Sequence, residues 1–347
     1  MNERINMAQH FLLSKDARSF SLVKVARMTE RQAESFFRKI RWNETNGKPV
    51  CPCCGSTKKH YFLKTRSIWK CKDCYSQFSI TSGTLFANHK LPLRTYLMAI
   101  ALFVNEVKGM SALKLSRELN IQYKTAFVLL HKMREALLET RDESPMDGVC
   151  EIDGAYVNHY VRPANNVNDR VDRRLAVNQN PNKRCIVVVR QRANGETEYL
   201  GSRRTLTYVL HNENPTDIMN IANNRIVEGS EVHADEANAY DNLHARYDMQ
   251  RVNHSVEYMS EEGACSNQAE SFFARFRRFQ HGQIHRMGQM YISNYANEIA
   301  YREDTRRWDN GSIFKDIATK CMKTLQSNEW TGYWQGNHRI AERLGVA

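Results

Sequence analysis

The chain has 347 residues, 41% of them hydrophobic and 25% charged, which is enough to bury a sizeable core and to form two or three domains. No run of about 18 apolar residues is present, and Met1–Lys15 lacks the charged, apolar and small-residue order of a signal peptide, so a membrane or secreted protein is not expected. The net charge of +12 instead points to a polyanionic partner and a place in the cytoplasm, associated with the nucleoid.

The charge is uneven. Residues 1–140 carry 24 Lys and Arg against 10 Asp and Glu, whereas residues 141–347 carry 26 against 28. A basic front that holds DNA, followed by a domain that keeps its carboxylates for another purpose, fits this asymmetry. Residues 24–42 read as a helix opened by Thr29, with Gln32 in the capping-box position and Ala33, Phe36, Phe37 and Ile40 recurring at helical spacing. Residues 43–49 form a polar loop with Gly47 and Pro49.

Nine cysteines in a cytosolic chain are more readily metal ligands or reduced thiols than disulfides. Cys51 and Cys54, then sixteen intervening residues, then Cys71 and Cys74 have the spacing of a four-thiolate Zn²⁺ ribbon. Tyr61, Phe62, Ile68 and Trp69 between the pairs alternate with Lys58, Lys59, Lys64, Arg66 and Lys70, as in a small hairpin with one apolar and one basic side. Cys53 is a spare thiol. Such a ribbon either only holds the fold or also touches DNA, and the spacing does not choose. A redox CxxC motif comes singly and near a βαβ unit.

Residues 92–140 read as helical throughout. Within Lys108–Glu135, Ala112, Leu115 and Leu119 line one helix face, and after a break at Asn120-Ile121, Ala126, Leu129 or Leu130, and Met133 line another. Two short amphipathic helices with a tight turn make a helix-turn-helix, whose second helix offers Gln122, Tyr123, Lys124 and Thr125 at its start. An ordinary helical hairpin has the same periodicity.

Residues 141–148 are polar, contain Pro145 and Gly148, and read as a linker. Strands follow over 149–157, 185–190 and 198–200, then a helix over 217–226, strands over 231–235 and 250–252, and long helices from Asn267 onward. This order predicts an α/β or mixed sheet with helical cover.

Two of these strands carry acids in unusual places: Asp153 lies inside EIDGA, and Asp235 ends VHAD. Acids are depleted in strands because a half-buried sheet leaves their charge unsatisfied. A shared divalent cation removes that objection. Glu270 lies thirty-five residues past Asp235 on a helix, with Arg277 seven further on and so on the same face. Three carboxylates are what a pair of Mg²⁺ ions about 3.5 to 4 Å apart needs for phosphodiester cleavage and transfer. Taken singly, each is equally well a solvated surface acid. Asn267, on the same helix face, competes with Glu270 for the third position, but its amide is neutral and a weaker ligand; a helix start there suits it as N-cap or supporting residue.

Taken together, RKIRW, CPCCGS, CKDC, TSGTLFANHKLPL, the helix-turn-helix, EIDGAYV, HADEANAY, NHSVEYM, SNQAESFFARFRR and NYANEIAYR resemble the bacterial insertion-sequence transposases with an N-terminal zinc ribbon and a DDE catalytic domain. The resemblance spans about residues 20–310. It implies a ribonuclease H-like fold, Mg²⁺ or Mn²⁺ at the carboxylates, terminal inverted repeats and target double-stranded DNA as partners, attack by a DNA 3′-OH, and a homo-oligomer assembled on DNA. It departs in having Arg277 where the family usually has Lys.

The expected organisation is a helical segment over 1–48, a zinc ribbon over 49–82, a helix-turn-helix region over 83–140, the linker, a ribonuclease H-like domain over 149–310, and a helical tail over 311–347. Asp153, Asp235 and Glu270 are the expected catalytic metal ligands, with Asn267 beside them. Gln122, Lys124, Lys132, Arg275, Arg277 and Arg278 are the expected DNA contacts. A ribonuclease H-like nuclease, or a silent DNA-binding regulator derived from a transposase, are the rival readings.

Overall fold

Thr29 opens a helix because its hydroxyl accepts from the Gln32 amide at 3.3 Å while the Gln32 side chain accepts from the Thr29 amide at 2.8 Å, so two otherwise orphaned donors are satisfied. That helix is α2 (Glu30–Arg41), preceded by the short α1 (Leu22–Ala26). The computed structural model describes residues 11–158, 160–193, 201–252 and 265–345. Its chain divides into two units: residues 1–140 with 305–338, and residues 141–304 with 339–347.

In unit 1, β1 (Tyr61–Leu63), β2 (Ile68–Lys70) and β3 (Gln77–Phe78) form an antiparallel three-stranded ribbon. Trp69 and Phe78 stack across it, and Trp42 from the end of α2 meets Trp69 edge-on. Then come α3 (Leu93–Asn105), α4 (Ala112–Leu119) and α5 (Tyr123–Glu139). The Ser111 hydroxyl caps α4 by accepting from the Lys114 amide at 3.2 Å, and Asn120 ends it in the left-handed region at φ 50°, ψ 49°, a conformation Asn tolerates. At 17 residues α5 is longer than the short second helix expected.

The helix Asn310–Lys323 packs on α2, α3 and α5 of this same unit. Phe314 stacks on Phe20, and buried Trp330 donates its indole N–H to Glu135. Residues 305–338 are thus part of the fold of unit 1, where the sequence reads as a tail from 311 onward.

Unit 2 is built on a five-stranded sheet of β4 (Val149–Val157), β5 (Arg184–Arg192), β6 (Ser202–Leu210), β7 (Glu231–Asp235) and β8 (Asp248–Val252). The spatial order is β6-β5-β4-β7-β8: the first three strands pair antiparallel, while β4, β7 and β8 run parallel. Alternation along the strands sends Cys150, Ile152, Val187, Val232 and Ala234 to one face under α6 (Pro215–Arg225). Ile186, Val188 and Val209 go to the other face, under α7 (Asn267–Phe279) and α8 (Ile292–Asp304). A mixed α/β sheet with helical cover, as the ribonuclease H-like expectation requires, is therefore present.

Residues 141–148 are not a free linker, because Met146 is fully buried in this core and its amide donates to the Arg225 carbonyl at 2.7 Å. The expected strand over 198–200 and the NHSVEYM segment lie outside the described residues. No helix among those residues is long and apolar enough to cross a membrane.

Candidate functional site: a carboxylate cluster and a four-cysteine centre

The register of the sheet brings the two strand acids together. Ile152 pairs with Ala234 across the parallel β4 and β7, so Asp153 and Asp235 come next in line on neighbouring strands. Both are odd-numbered neighbours of residues facing α6, and both therefore turn to the α7 side. Asp153 Oδ1 accepts from the Gly154 amide at 2.8 Å, and Asp235 Oδ1 from the Glu236 amide at 2.7 Å.

Glu270 sits in the first turn of α7, half-buried, its amide donating to the Ser266 carbonyl at 3.0 Å. Burial raises the Asp153 carboxyl to about 7, and the charges of Glu213, Asp235 and Glu270 push it in the same direction. Asp153, Asp235 and Glu270 offer the oxygen ligands a divalent cation takes, and such an ion would offset the charges that act on Asp153.

The start of α7 is held from below. Ser266 is the N-cap residue, not Asn267, and its side chain makes no capping bond. Asn267 is the exposed first helical residue, beyond the reach of an N-cap side chain. The cap comes from β4: the fully buried Glu151 carboxylate accepts from the Gln268 amide at 2.8 Å and the Ala269 amide at 3.0 Å. Its other oxygen pairs with Arg192 Nε at 2.7 Å. Arg192 also donates to the Cys265 carbonyl at 2.6 Å, and the Cys265 amide donates to His233 Nδ1 at 3.1 Å. Glu151 thereby holds the backbone of the turn that carries Glu270.

In the ribbon, one sulfur each from Cys51, Cys54, Cys71 and Cys74 lies within 4.8 Å of every other. The Cys51–Cys74 and Cys54–Cys71 sulfurs are 3.6 Å apart, far beyond a disulfide and near the roughly 3.8 Å edge of a tetrahedron with Zn–S bonds of about 2.3 Å. The Ser76 hydroxyl, 3.0 Å from the Cys74 sulfur, and then the Ser76 amide bring the Cys74 thiol down to about 6, favouring the thiolate that zinc takes. Cys53 is exposed and outside the four.

Residues 28–77 match the transposase zinc-ribbon domain, and residues 145–304 match the ISXO2-like transposase domain. Together the two matches take in well over half of the chain. The chain belongs to the insertion-sequence transposases. A stretch of 132 residues, 38% of the chain, is 29% identical to a Halobacterium salinarum protein named "Uncharacterized protein in transposable element ISH50". That stretch spans 42% of the relative's length.

The transposase domain contains both the carboxylate cluster and the α7 anchor, and the zinc-ribbon domain contains the four cysteines. Gln122 and Lys124 are exposed at the start of α5, Lys124 with its ammonium 5.7 Å from the Trp334 ring centroid. Lys132 departs from the expectation: it is half-buried near Glu135 and Cys321, and burial lowers its ammonium, so it does not share the exposed face. Arg275 departs likewise, being half-buried in an ion pair with Glu303. Arg277 and Arg278 are exposed near the far end of α7.

One acid beside the site escaped the sequence reading. Glu213 lies between β6 and α6, where Tyr240 donates to its carboxylate and its amide donates to the Tyr156 hydroxyl at 3.2 Å. It is also why residue 154 is Gly: a Cβ there would collide with the Glu213 carboxylate. The signal in the sequence was that glycine, placed in the middle of a strand.

Proposed function

We propose that the chain is a DNA transposase that binds the terminal inverted repeats of an insertion sequence, cuts their ends and joins them to target DNA. The observation that supports this reading is the register of β4 and β7, which sets Asp153 beside Asp235 on neighbouring strands, with the charges of Asp235 and Glu270 both acting on the buried Asp153 carboxyl. Asp153, Asp235 and Glu270 would hold Mg²⁺ or Mn²⁺, which would supply activation of the attacking oxygen and stabilisation of the leaving one.

The protein's own groups do the rest. Asp153 presents its carboxylate from the middle of β4 and Asp235 from the end of the hydrogen-bonded β7, a base too stiff to drift. Glu151 and Arg192 hold the first turn of α7 so that Glu270 stays aimed at them. Arg277 and Arg278, two turns further on, carry free charge for the phosphates of the same strand. Gln122 and Lys124 at the start of α5 serve a second DNA contact in unit 1, where recognition helices meet base edges. The protein acts on DNA as a homo-oligomer in this reading.

The test is an assay of the purified full chain on a supercoiled plasmid carrying the genomic DNA that flanks its gene. Divalent-dependent cleavage at the repeat ends with joined products is the expected result. Asp153→Asn and Asp235→Asn are expected to abolish both steps while filter binding of the same DNA persists. Cleavage that never yields a joined product makes the chain a nuclease; Mg²⁺-independent activity, or full activity of Asp153→Asn, removes the carboxylate site from the chemistry.

A further inference from the structure

Past Asp153 and Glu270, the end of β4 and the length of α7 enclose a cavity of about 540 Å³ within unit 2. That is the size of a small-molecule site. Phe273 and Arg277 line it from α7, three and seven residues beyond Glu270 and so on its face of the helix, and Gln280 lines it just past the end of α7. Tyr156 and Tyr160 line it from the other side, with Arg286 at the turn beyond α7. Among the described residues no carboxylate lines it. Tyr160 is 71% exposed, and Arg277 and Arg286 are exposed and, unlike Arg275, in no ion pair with a described residue.

The wall beyond α7 is built under strain. The helix widens into a π-turn over Gln280–Ile284, and His285 follows at φ 57°, ψ −64°. The His285 amide donates to the Gln280 carbonyl at 2.6 Å and the Arg286 amide to the Ile284 carbonyl at 2.7 Å. Asn158, at the end of β4, ties this turn down with a 3.0 Å hydrogen bond to the Met287 carbonyl. A side chain other than Gly held in so sparse a conformation, next to a π-turn, is a feature of ligand clamps.

Aromatic rings, guanidinium groups and side-chain amides with no acid among them suit one ligand class above others. A nucleic-acid base stacks on a ring, and its phosphate takes the guanidinium. We propose that this cavity holds one unpaired nucleotide of the DNA strand on which the carboxylate site acts, its base against Tyr160 and its phosphate between Arg277 and Arg286. The inference rests on the reading of unit 2 as the DNA-cleaving domain. It goes further in requiring that the duplex open beside the cut, because a base held in Watson–Crick pairing cannot enter the cavity.

The full-length, zinc-loaded chain is titrated with two DNA probes of one sequence. One is fully paired; the other ends in a three-nucleotide overhang, made in 3′ and 5′ forms, with 2-aminopurine at the first unpaired position. Tighter binding of one overhang form by about tenfold, with a change in 2-aminopurine emission, is expected from a single stacked base. Tyr160→Ala and Arg286→Ala are expected to remove most of that preference and the emission change, and Tyr160→Phe to retain both. Equal binding of paired and overhang probes by the unsubstituted chain overturns the inference, as does preference kept in both alanine variants. Mg²⁺-dependent cutting of the paired probe in the same preparation would then leave the proposed function standing. A chain that neither binds nor cuts any of the probes loses both readings at once.

Discussion

Glu151 and Gln268, 117 residues apart in sequence, are joined by a 2.8 Å hydrogen bond from the Gln268 amide to the Glu151 carboxylate. The bond does for α7 what an N-cap side chain does for an ordinary helix, but it comes from a strand two residues before Asp153. Glu151→Ala removes the cap and leaves Arg192 without its carboxylate. A loss of about 3 kcal/mol in unfolding free energy is expected from urea titration. Glu151→Gln keeps an acceptor and is expected to lose less stability. Both are expected to slow DNA cleavage more than they weaken DNA binding, since Glu270 is released while unit 1 is untouched.

A second consequence concerns pH. Asp304, at the end of α8, accepts from the Thr205 amide at 2.9 Å through one oxygen, while the other is buried without a partner. Burial raises its carboxyl from 3.8 to about 7. The folded chain therefore keeps a proton that the unfolded chain has released between those values, and the group's contribution to stability falls as pH rises through that window. Asp304→Asn is expected to match the parent near pH 4 and to exceed it by about 2 kcal/mol at pH 8. Denaturation curves at the two pH values measure the difference.

The ribbon gives a third expectation. Elemental analysis should find one zinc per chain, and Cys71→Ser should lose it, because metal binding and folding are coupled in such modules. Trp42 and Trp69, packed with ring centroids 5.3 Å apart, report the event: their emission should shift to the red as the metal leaves. Retained zinc in Cys71→Ser would remove this cysteine from the ligand set.

The proposed DNA binding by unit 1 separates two lysines eight residues apart on α5. Lys124→Ala is expected to weaken binding and to lower the slope of log affinity against log salt by about 1. Lys132→Ala is expected to leave that slope alone and to alter the melting temperature instead, because its side chain is half-buried within the fold. Fluorescence anisotropy over a salt series distinguishes the two.

The features readable in advance were those that short stretches of chain specify. Thr29 and Gln32 announce α2 because both partners of the cap lie within four residues. The strand Glu231–Asp235 and the start of α7 at Asn267 follow from local alternation and periodicity. The rest depends on partners far away in sequence. β6 opens with Ser202, Arg203 and Arg204, which do not read as a strand, and the Arg204 guanidinium is received by Asp142, Ser144 and the Pro145 carbonyl, some sixty residues earlier. Glu213 is invisible without Tyr240, and the capping role of Glu151 without Gln268. Lys132 reads as a basic surface residue until Cys321 and its helix cover it. Asp153 and Asp235 stood out by contrast, since acids inside strands contradict propensity.

Unit 1 is completed by residues 305–338, which a ribosome makes after the whole sheet of unit 2. Phe20, α2, α3 and α5 wait for Phe314 and its helix to cover them, so a chain stopped anywhere before residue 305 leaves that apolar surface open to aggregation and to chaperones. Truncated copies of the gene are therefore poor sources of a detached DNA-binding fragment. Unit 1 can close only after the strands and helices that carry Asp153, Asp235 and Glu270 have been made, so no N-terminal fragment holds a finished unit 1 without them.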